Sequence, residues 1–232
     1  MLDFIISNPA VAYTLVIAAV VFSLFASISV KSTFNKYEKV QTRSGVQANV
    51  IARQILDSYG LYNVDIVLIN KDKLTNYYDP RTNTVNLSAS VFYGANVGSI
   101  GVAAHECGHA IQYAKNYLPI KLRNLFVPVI NFSSGAWLYI FLAGMIFNMP
   151  VIVDVGIILF ALIVLFQLIT LPVEFNASSR AISVLKGGEI LGADECKGAK
   201  RVLKAAAMTY VASLLVSLTQ LLRIIASAKR RN

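Results

Sequence analysis

Long uncharged runs dominate the hydrophobic pattern of this chain. Three of them contain no Asp, Glu, Lys or Arg: residues 10–30, 124–153 and 155–173. A helix of about 20 residues crosses the roughly 30 Å hydrocarbon core of a bilayer. The first run predicts an N-terminal membrane anchor at 1–30, and the other two predict a transmembrane hairpin at 125–173 that turns at Asn148–Pro150. A cleaved signal peptide and a buried soluble hairpin are the alternatives.

A fourth run, residues 205–222, is also uncharged but is shorter. Polar residues recur through it at steps of three or four, so they share one face of a helix: Thr209, Ser213, Ser217, Gln220, Arg223 and Ser227. An apolar helix with one polar stripe is typical of a segment that lies in the membrane interface or packs against a protein site. We therefore expect the segment 174–232 to end in a membrane-associated helix that does not cross, although the run is nearly long enough to do so.

Composition and charge extend this interpretation. The chain has 56% hydrophobic and 14% charged residues, with a mean hydropathy of +0.61, which excludes a disordered chain and an ordinary soluble enzyme. Residues 31–123 carry 11 of the 21 Lys and Arg residues, and 174–232 carry the other 10. Since basic residues concentrate on the cytoplasmic side, both segments are predicted to be cytoplasmic and the 148–154 turn external. The net charge of +9 fits membrane lipid as a partner, and scattered basic residues do not favour nucleic acid.

The segment 31–124 predicts a small α/β region. Alternating hydrophobic residues indicate a strand at 63–69, Asp79–Asn83 has the composition of a turn, and Val85–Ser88 predicts a second strand. A helix is expected from Gly98 or Ser99 to about Asn116. The fold class is therefore mainly α, with multi-pass membrane helices and a cytoplasmic region built from a small sheet and this helix.

This helix carries the chain's only two histidines, in the pattern H-E-x-x-H: His105, Glu106 and His109. Residues four apart lie on the same side of a helix, so both imidazoles can bind one zinc ion. Glu106 is offset around the helix, where it can reach a water molecule rather than the metal. Cys107 lies nearly opposite the histidines and is interpreted as a packing residue.

A catalytic zinc site usually has three protein ligands and one open position. With no third histidine, an acidic residue is required, and Glu174 is the best candidate because it follows the hairpin directly and returns to the side of the H-E-x-x-H helix. Glu189, Asp194 and Glu195 lie in a polar, glycine-containing stretch and are expected to be solvated.

At these residues the chain resembles the YugP-like family of membrane zinc metallopeptidases. The resemblance covers nearly the whole chain and rests on Tyr78–Thr82, Leu87-Ser88, Val102–Gln112 and Leu171–Ala181. Glu174-x-x-Ala177 is similar to the glutamate motif of HtpX and of the type I CAAX prenyl proteases, which implies that Glu174 is the third zinc ligand. Those families have Asp after the Ala, whereas this chain has Ser178, so orientation of a histidine from this position is not carried over.

The resemblance implies a zincin-like region with one Zn²⁺ per chain, and a substrate that pairs with an edge strand at Val85, Asn86, Leu87 and Ser88. The expected protein is an integral membrane metalloendopeptidase, in the plasma membrane of a prokaryote, that cleaves peptides or proteins at the cytoplasmic face. Glu106 would be the general base, and Arg180 or Tyr113 the oxyanion stabiliser. A non-catalytic metal-binding scaffold and an intramembrane protease are the alternatives.

Overall fold

The computed structural model describes residues 8–229 and is mainly helical. The first seven residues of the predicted anchor and the last three of the C-terminal segment lie outside the described residues. The described part contains seven α-helices and three β-strands: α1 (Pro9–Tyr37), α2 (Ala48–Ser58), β1 (Asp65–Ile69), β2 (Tyr77–Asp79), β3 (Thr84–Ser88), α3 (Ala89–Phe92), α4 (Val97–Ala114), α5 (Leu118–Ile146), α6 (Pro150–Gly187) and α7 (Ala193–Lys229). The predicted fold class, mainly α with a small mixed sheet, is confirmed.

Four of the described helices, α1, α5, α6 and α7, are long and apolar enough to cross a membrane. The chain divides into two compact units, and the first contains the residues up to Ser27, Leu122–Leu171 and the residues from Thr209 onward. In this unit α5 and α6 form the expected hairpin, with Asn148 in the left-handed conformation at its turn (φ 53°).

Close packing of the two hairpin arms depends on glycine. A Cβ added at Gly144 would lie 2.6 Å from the backbone nitrogen of Val153, and one at Gly156 would lie 2.7 Å from Phe141 Cβ. Small residues of this kind allow helix backbones to approach each other in a membrane.

The C-terminal helix, α7, extends beyond the uncharged 205–222 run at both ends. Ala228 of α7 lines a small cavity together with residues of the hairpin turn, among them Asn148 and Asp154. Arg223 lies with its guanidinium carbon 5.3 Å from the ring centre of Tyr13, near the start of α1. The end of α7 therefore lies beside the hairpin turn. The whole helix has 37 residues, and its 36-residue segment 193–228 contains a stretch long and apolar enough to cross a membrane.

The second unit contains Ile28–Lys121 and Pro172–Met208. The three strands form a sheet in the order β1-β3-β2, with β1 parallel and β2 antiparallel to β3. The core of this unit is one apolar cluster to which α2, α4, α6, α7 and β3 contribute; its fully buried side chains include Ile55, Leu87, Ile100, Ile111 and Leu185. Burial of this apolar surface holds α4 in place against α2 and the sheet.

The prediction of an edge strand at Val85–Ser88 is wrong. β3 is the central strand, paired with β1 along its whole length and with β2 from Thr84 to Asn86. Beyond Asn86, the Asn76 side chain accepts a hydrogen bond from the backbone N–H of Ser88 (2.8 Å). The edge on that side of the sheet is β2, which was not predicted as a strand; its last residue, Asp79, was assigned to the turn that follows.

Candidate metal centre

The H-E-x-x-H helix, α4, begins where Asn96 caps it. The Asn96 side chain accepts a hydrogen bond from the backbone N–H of Ser99 (2.8 Å), and such capping stabilises a helix start. His105 and His109 lie on the same side of α4, with ring centres 4.8 Å apart. The predicted helix and the common direction of both imidazoles are present in the structure.

Glu174 lies against both imidazoles. Its Oε2 atom is 3.3 Å from His105 Nε2 and 3.7 Å from His109 Nε2. The carboxylate is buried, and within the described residues this oxygen has no hydrogen-bond partner. One ligand atom from each residue lies within 4.8 Å of the others, so the group could hold a metal ion.

These distances fit zinc. A tetrahedral zinc ion with ligand bonds of about 2.0–2.1 Å separates its ligand atoms by roughly 3.3 Å. Two of the observed separations, 3.3 and 3.7 Å, are close to this value. A buried carboxylate oxygen without a hydrogen bond costs free energy unless a cation is present, and two imidazoles with one carboxylate form a common catalytic zinc ligand set.

Gly108 allows α4 and α6 to approach each other closely. A Cβ at Gly108 would lie 2.7 Å from the carbonyl oxygen of Ala177, so the backbones of α4 and α6 touch at a residue between the two histidines on α4 and one turn after Glu174 on α6. Ala177 is itself fully buried. The small residues of the H-E-x-G-H and E-x-x-A patterns therefore determine how closely the histidines and Glu174 approach each other.

Ser178 contacts His105. Its hydroxyl oxygen lies 3.2 Å from His105 Nδ1. The hydroxyl can accept the Nδ1 proton, which leaves Nε2 available as a metal ligand. The serine in place of aspartate thus retains a contact with the histidine, which the sequence analysis did not carry over.

Gln112 is a residue of the site that sequence reasoning missed. Its Oε1 atom lies 3.0 Å from His109 Nδ1, and its Nε2 atom donates to the carbonyl oxygen of Val173 (2.8 Å) and to Asn176 Oδ1 (3.0 Å). Because Oε1 only accepts, His109 must carry its proton on Nδ1, and Nε2 then faces Glu174 as a free ligand atom. The sequence feature that could have identified Gln112 is its position three residues after His109, on the same face of the helix.

Glu106 lies beside the sheet edge. The side chain is buried, and its Oε2 accepts a hydrogen bond from the backbone N–H of Tyr78 in β2 (3.1 Å). This hydrogen bond fixes the direction of the carboxylate. The Tyr78 hydroxyl is turned away, because it donates to Asn83 (2.8 Å).

The two candidate oxyanion stabilisers lie next to this arrangement. Tyr113 packs its ring 5.4 Å from that of Tyr78, and burial together with the charge of Tyr113 raises the pKa of Tyr78. Arg180 donates from Nε to Asn176 (2.7 Å) and lies 6.0 Å from the ring centre of Tyr117. Arg180 is thus connected through Asn176 to Gln112. Tyr113 instead packs against Tyr78 of β2, whose backbone N–H donates to Glu106.

The other acidic candidates do not join the metal group. Glu195 accepts the backbone N–H groups of Gly192 (2.6 Å) and Arg43 (2.7 Å), so it caps the start of α7. Asp194 is exposed and pairs with Lys197. Cys107 is fully buried, and burial raises the pKa of its thiol, which keeps it protonated as expected for a packing residue.

A chain with four apolar helices, an H-E-x-x-H helix and a buried third carboxylate has the features of a membrane zinc metalloprotease. The family model described as "Putative neutral zinc metallopeptidase" matches residues 12–229, and the chain belongs to this family. The chain is similar to the "Putative membrane protease YugP" of Bacillus subtilis (strain 168), with 46% identity over 211 residues, which cover 91% of this chain and 93% of that protein. The comparison with solved structures found no match.

Proposed function

We propose that this protein is an integral membrane zinc endopeptidase that hydrolyses peptide bonds of peptides or proteins at the cytoplasmic membrane face. The observation that carries the proposal is the group formed by His105, His109 and Glu174, whose ligand atoms have the spacing of a zinc site. Glu106 lies on the same helix without belonging to that group, as a general base requires. A purely structural metal site would need no such residue.

In this proposal the three ligands hold one Zn²⁺ per chain. Zinc, when bound, would polarise the scissile carbonyl and lower the pKa of water. Glu106 accepts a proton from the attacking water and later delivers it to the leaving amine. Gln112 Oε1 keeps the proton of His109 on Nδ1, and the Ser178 hydroxyl can accept the corresponding proton of His105, so that both Nε2 atoms are available as ligands. Arg180 and Tyr113 are the candidates for stabilising the oxyanion.

The substrate is proposed to bind along β2 rather than β3. Tyr78 is the β2 residue whose backbone N–H points away from β3 and toward Glu106. An extended peptide that follows this edge would therefore bring its backbone next to the general base. The opposite edge of the sheet, β1, has no such contact with Glu106 in the described residues.

The active site is proposed to face the cytoplasm of a prokaryote, with the enzyme in the plasma membrane. This follows from the distribution of basic residues, since the 148–154 turn contains none of them. The packing of the α7 end beside that turn favours four crossings over three. A cysteine placed at Asn148 should react with impermeant thiol reagents in intact cells, whereas one at Asn70 should react only after lysis.

The test of catalysis uses two glutamate variants of the full-length protein in detergent. Glu106→Gln should retain zinc and lower cleavage of a denatured fluorescent casein by about 10²- to 10⁴-fold, because a general base is lost and no ligand is removed. Glu174→Ala should lose zinc and activity together. A wild-type protein that binds zinc but cleaves neither casein nor peptides would favour a metal-binding scaffold. Wild-type turnover in Glu106→Gln would refute the assigned mechanism.

A further inference from the structure

A second polar cleft lies in the unit that contains the metal group, between the end of α1 and the start of α7. Its volume is about 350 Å³, and it is lined by Ser29, Thr33, Lys36, Tyr37, Arg201, Lys204, Ala205 and Met208. None of these residues takes part in the metal group or its hydrogen bonds. The cleft therefore requires an explanation of its own.

Three cations and three hydroxyl groups line this cleft. Lys36, Arg201 and Lys204 are exposed, and within the described part of the chain no acidic side chain lines the cleft. Lysine, arginine and hydroxyl groups are the side chains that bind phosphate oxygens, and arginine does so with two parallel donors. The lining has the chemistry of a site for a phosphate group.

Tyr37 gives the cleft a fixed wall. Its hydroxyl accepts a hydrogen bond from Arg201 Nη1 (2.9 Å), which orients the guanidinium, and Lys36 Nζ lies 5.8 Å from its ring centre. A Cβ at Gly198 would lie 2.7 Å from Tyr37 Cε1. Glycine at this position lets the Tyr37 ring approach α7 closely, and the ring hydroxyl in turn orients Arg201.

The polarity of the lining changes in the same direction along both helices. On α1 the lining residues change from the charged Lys36 to the uncharged Thr33 and Ser29, and on α7 they change from the charged Arg201 to the apolar Met208. The uncharged run of α1 ends at Val30, and that of α7 begins at residue 205. The cleft therefore lies where both helices leave their apolar segments, which is the level of lipid headgroups. A ligand with a phosphate at one end and hydrocarbon at the other matches this order better than free phosphate.

We propose that this cleft binds an anionic phospholipid. The phosphodiester lies against Lys36, Arg201 and Lys204, and the start of the acyl chains lies against Met208. Binding here would occupy the junction of α1 and α7 in the metal-containing unit, so the lipid would stabilise the folded unit by mass action.

The test is lipid binding to the delipidated full-length protein in mild detergent, followed by native mass spectrometry. Dioleoyl phosphatidylglycerol should bind as one tight copy, at least tenfold more tightly than dioleoyl phosphatidylcholine. A basic side chain near an anionic membrane surface contributes about fivefold to binding. The variant Lys36→Gln/Arg201→Gln/Lys204→Gln should therefore lose at least tenfold in phosphatidylglycerol affinity while retaining zinc.

The matched control is Lys39→Gln/Lys197→Gln/Lys200→Gln, which removes the same charge from exposed positions near the same two helix ends. It should bind phosphatidylglycerol within twofold of wild type, and an equal loss in both variants would overturn the proposal in favour of bulk attraction. Displacement of the lipid by an equal concentration of glycerol 1-phosphate would indicate a soluble phosphate site instead. If the triple variant does not fold, Arg201→Gln alone should lose about fivefold, and wild-type affinity in it would refute the site.

Discussion

The close contact of α4 with α6 makes Gly108→Ala the most informative substitution in the metal centre. The new Cβ would lie 2.7 Å from the carbonyl oxygen of Ala177. Ordinary van der Waals contact begins at 3.4 Å, so the two backbones must separate by about 0.7 Å. That separation falls between the helix that carries both histidines and the helix that carries Glu174.

The expected magnitude follows from the ligand distances. Glu174 Oε2 lies 3.3 Å from one imidazole and 3.7 Å from the other. A shift of about 0.7 Å would lengthen these distances to about 4.0 and 4.4 Å, well above the roughly 3.3 Å of a tetrahedral zinc site. Misplacement of a functional group by about 1 Å can cost about 10²-fold. We therefore expect zinc affinity to fall by about tenfold to a hundredfold. Overpacking costs typically 1–3 kcal/mol, against which alanine gains about 1 kcal/mol in helix propensity.

The assay is competition for zinc against a chromogenic chelator, with the thermal midpoint measured in parallel. Gly101→Ala on the same helix is the control. Its added Cβ would lie 3.3 Å from Ala199 Cβ and no closer than 3.5 Å to the backbone of Ala199, and the propensity gain is the same. It should retain wild-type zinc affinity. Wild-type affinity in Gly108→Ala would refute the argument that this backbone contact sets the ligand spacing.

Further predictions concern the histidine contacts, the metal and the C-terminal helix. Gln112→Leu should lower zinc affinity by about 10- to 100-fold, as loss of an outer-shell partner does. Gln112→Glu should retain most of the affinity, because a carboxylate also accepts the hydrogen bond from His109 Nδ1. Equal affinities in the two variants would contradict the role of Gln112 in orienting His109. Ser178→Ala should cause a smaller loss than Gln112→Leu in the same competition assay, because the 3.2 Å contact is to a half-buried hydroxyl. Removal of zinc by a chelator should lower the thermal midpoint of the wild type but not of Glu174→Ala. A tag fused after Asn232 should be cut by protease added outside intact cells, and protection until lysis would support three crossings.

The sequence predicts the long helices and the histidine pair because their signals are local and strong. Uncharged runs of about 20 residues or more leave few alternatives to a membrane-spanning helix. The spacing of His105 and His109 places both side chains on one face of any α-helix, whatever the surrounding fold. Both features, the length of an uncharged run and the four-residue spacing of the histidines, can be recognised without knowing any long-range contact.

The edge strand could not be predicted in the same way. Tyr77–Asp79 has only three residues and runs directly into the Asp79–Asn83 turn, so its hydrophobic pattern is too short to indicate a strand. The pattern of Val85–Ser88 shows that it is a strand but not whether it is central, because pairing partners depend on long-range contacts. The length of α7 was underestimated for a related reason: its helix continues into residues that carry charge.

The metal centre also shows why a ligand motif alone does not specify a site. His105, His109 and Glu174 supply donor atoms, but their separation is set by two residues without donor side chains, Gly108 and Ala177, at which the backbones of α4 and α6 touch. Each imidazole is then oriented from a different direction, His105 by a hydroxyl of α6 and His109 by an amide of α4 itself. Because Gln112 also donates to the backbone of α6 at Val173, one side chain both orients a ligand and connects the two helices. We therefore expect that a substitution that preserves all three proposed ligands can still abolish zinc binding.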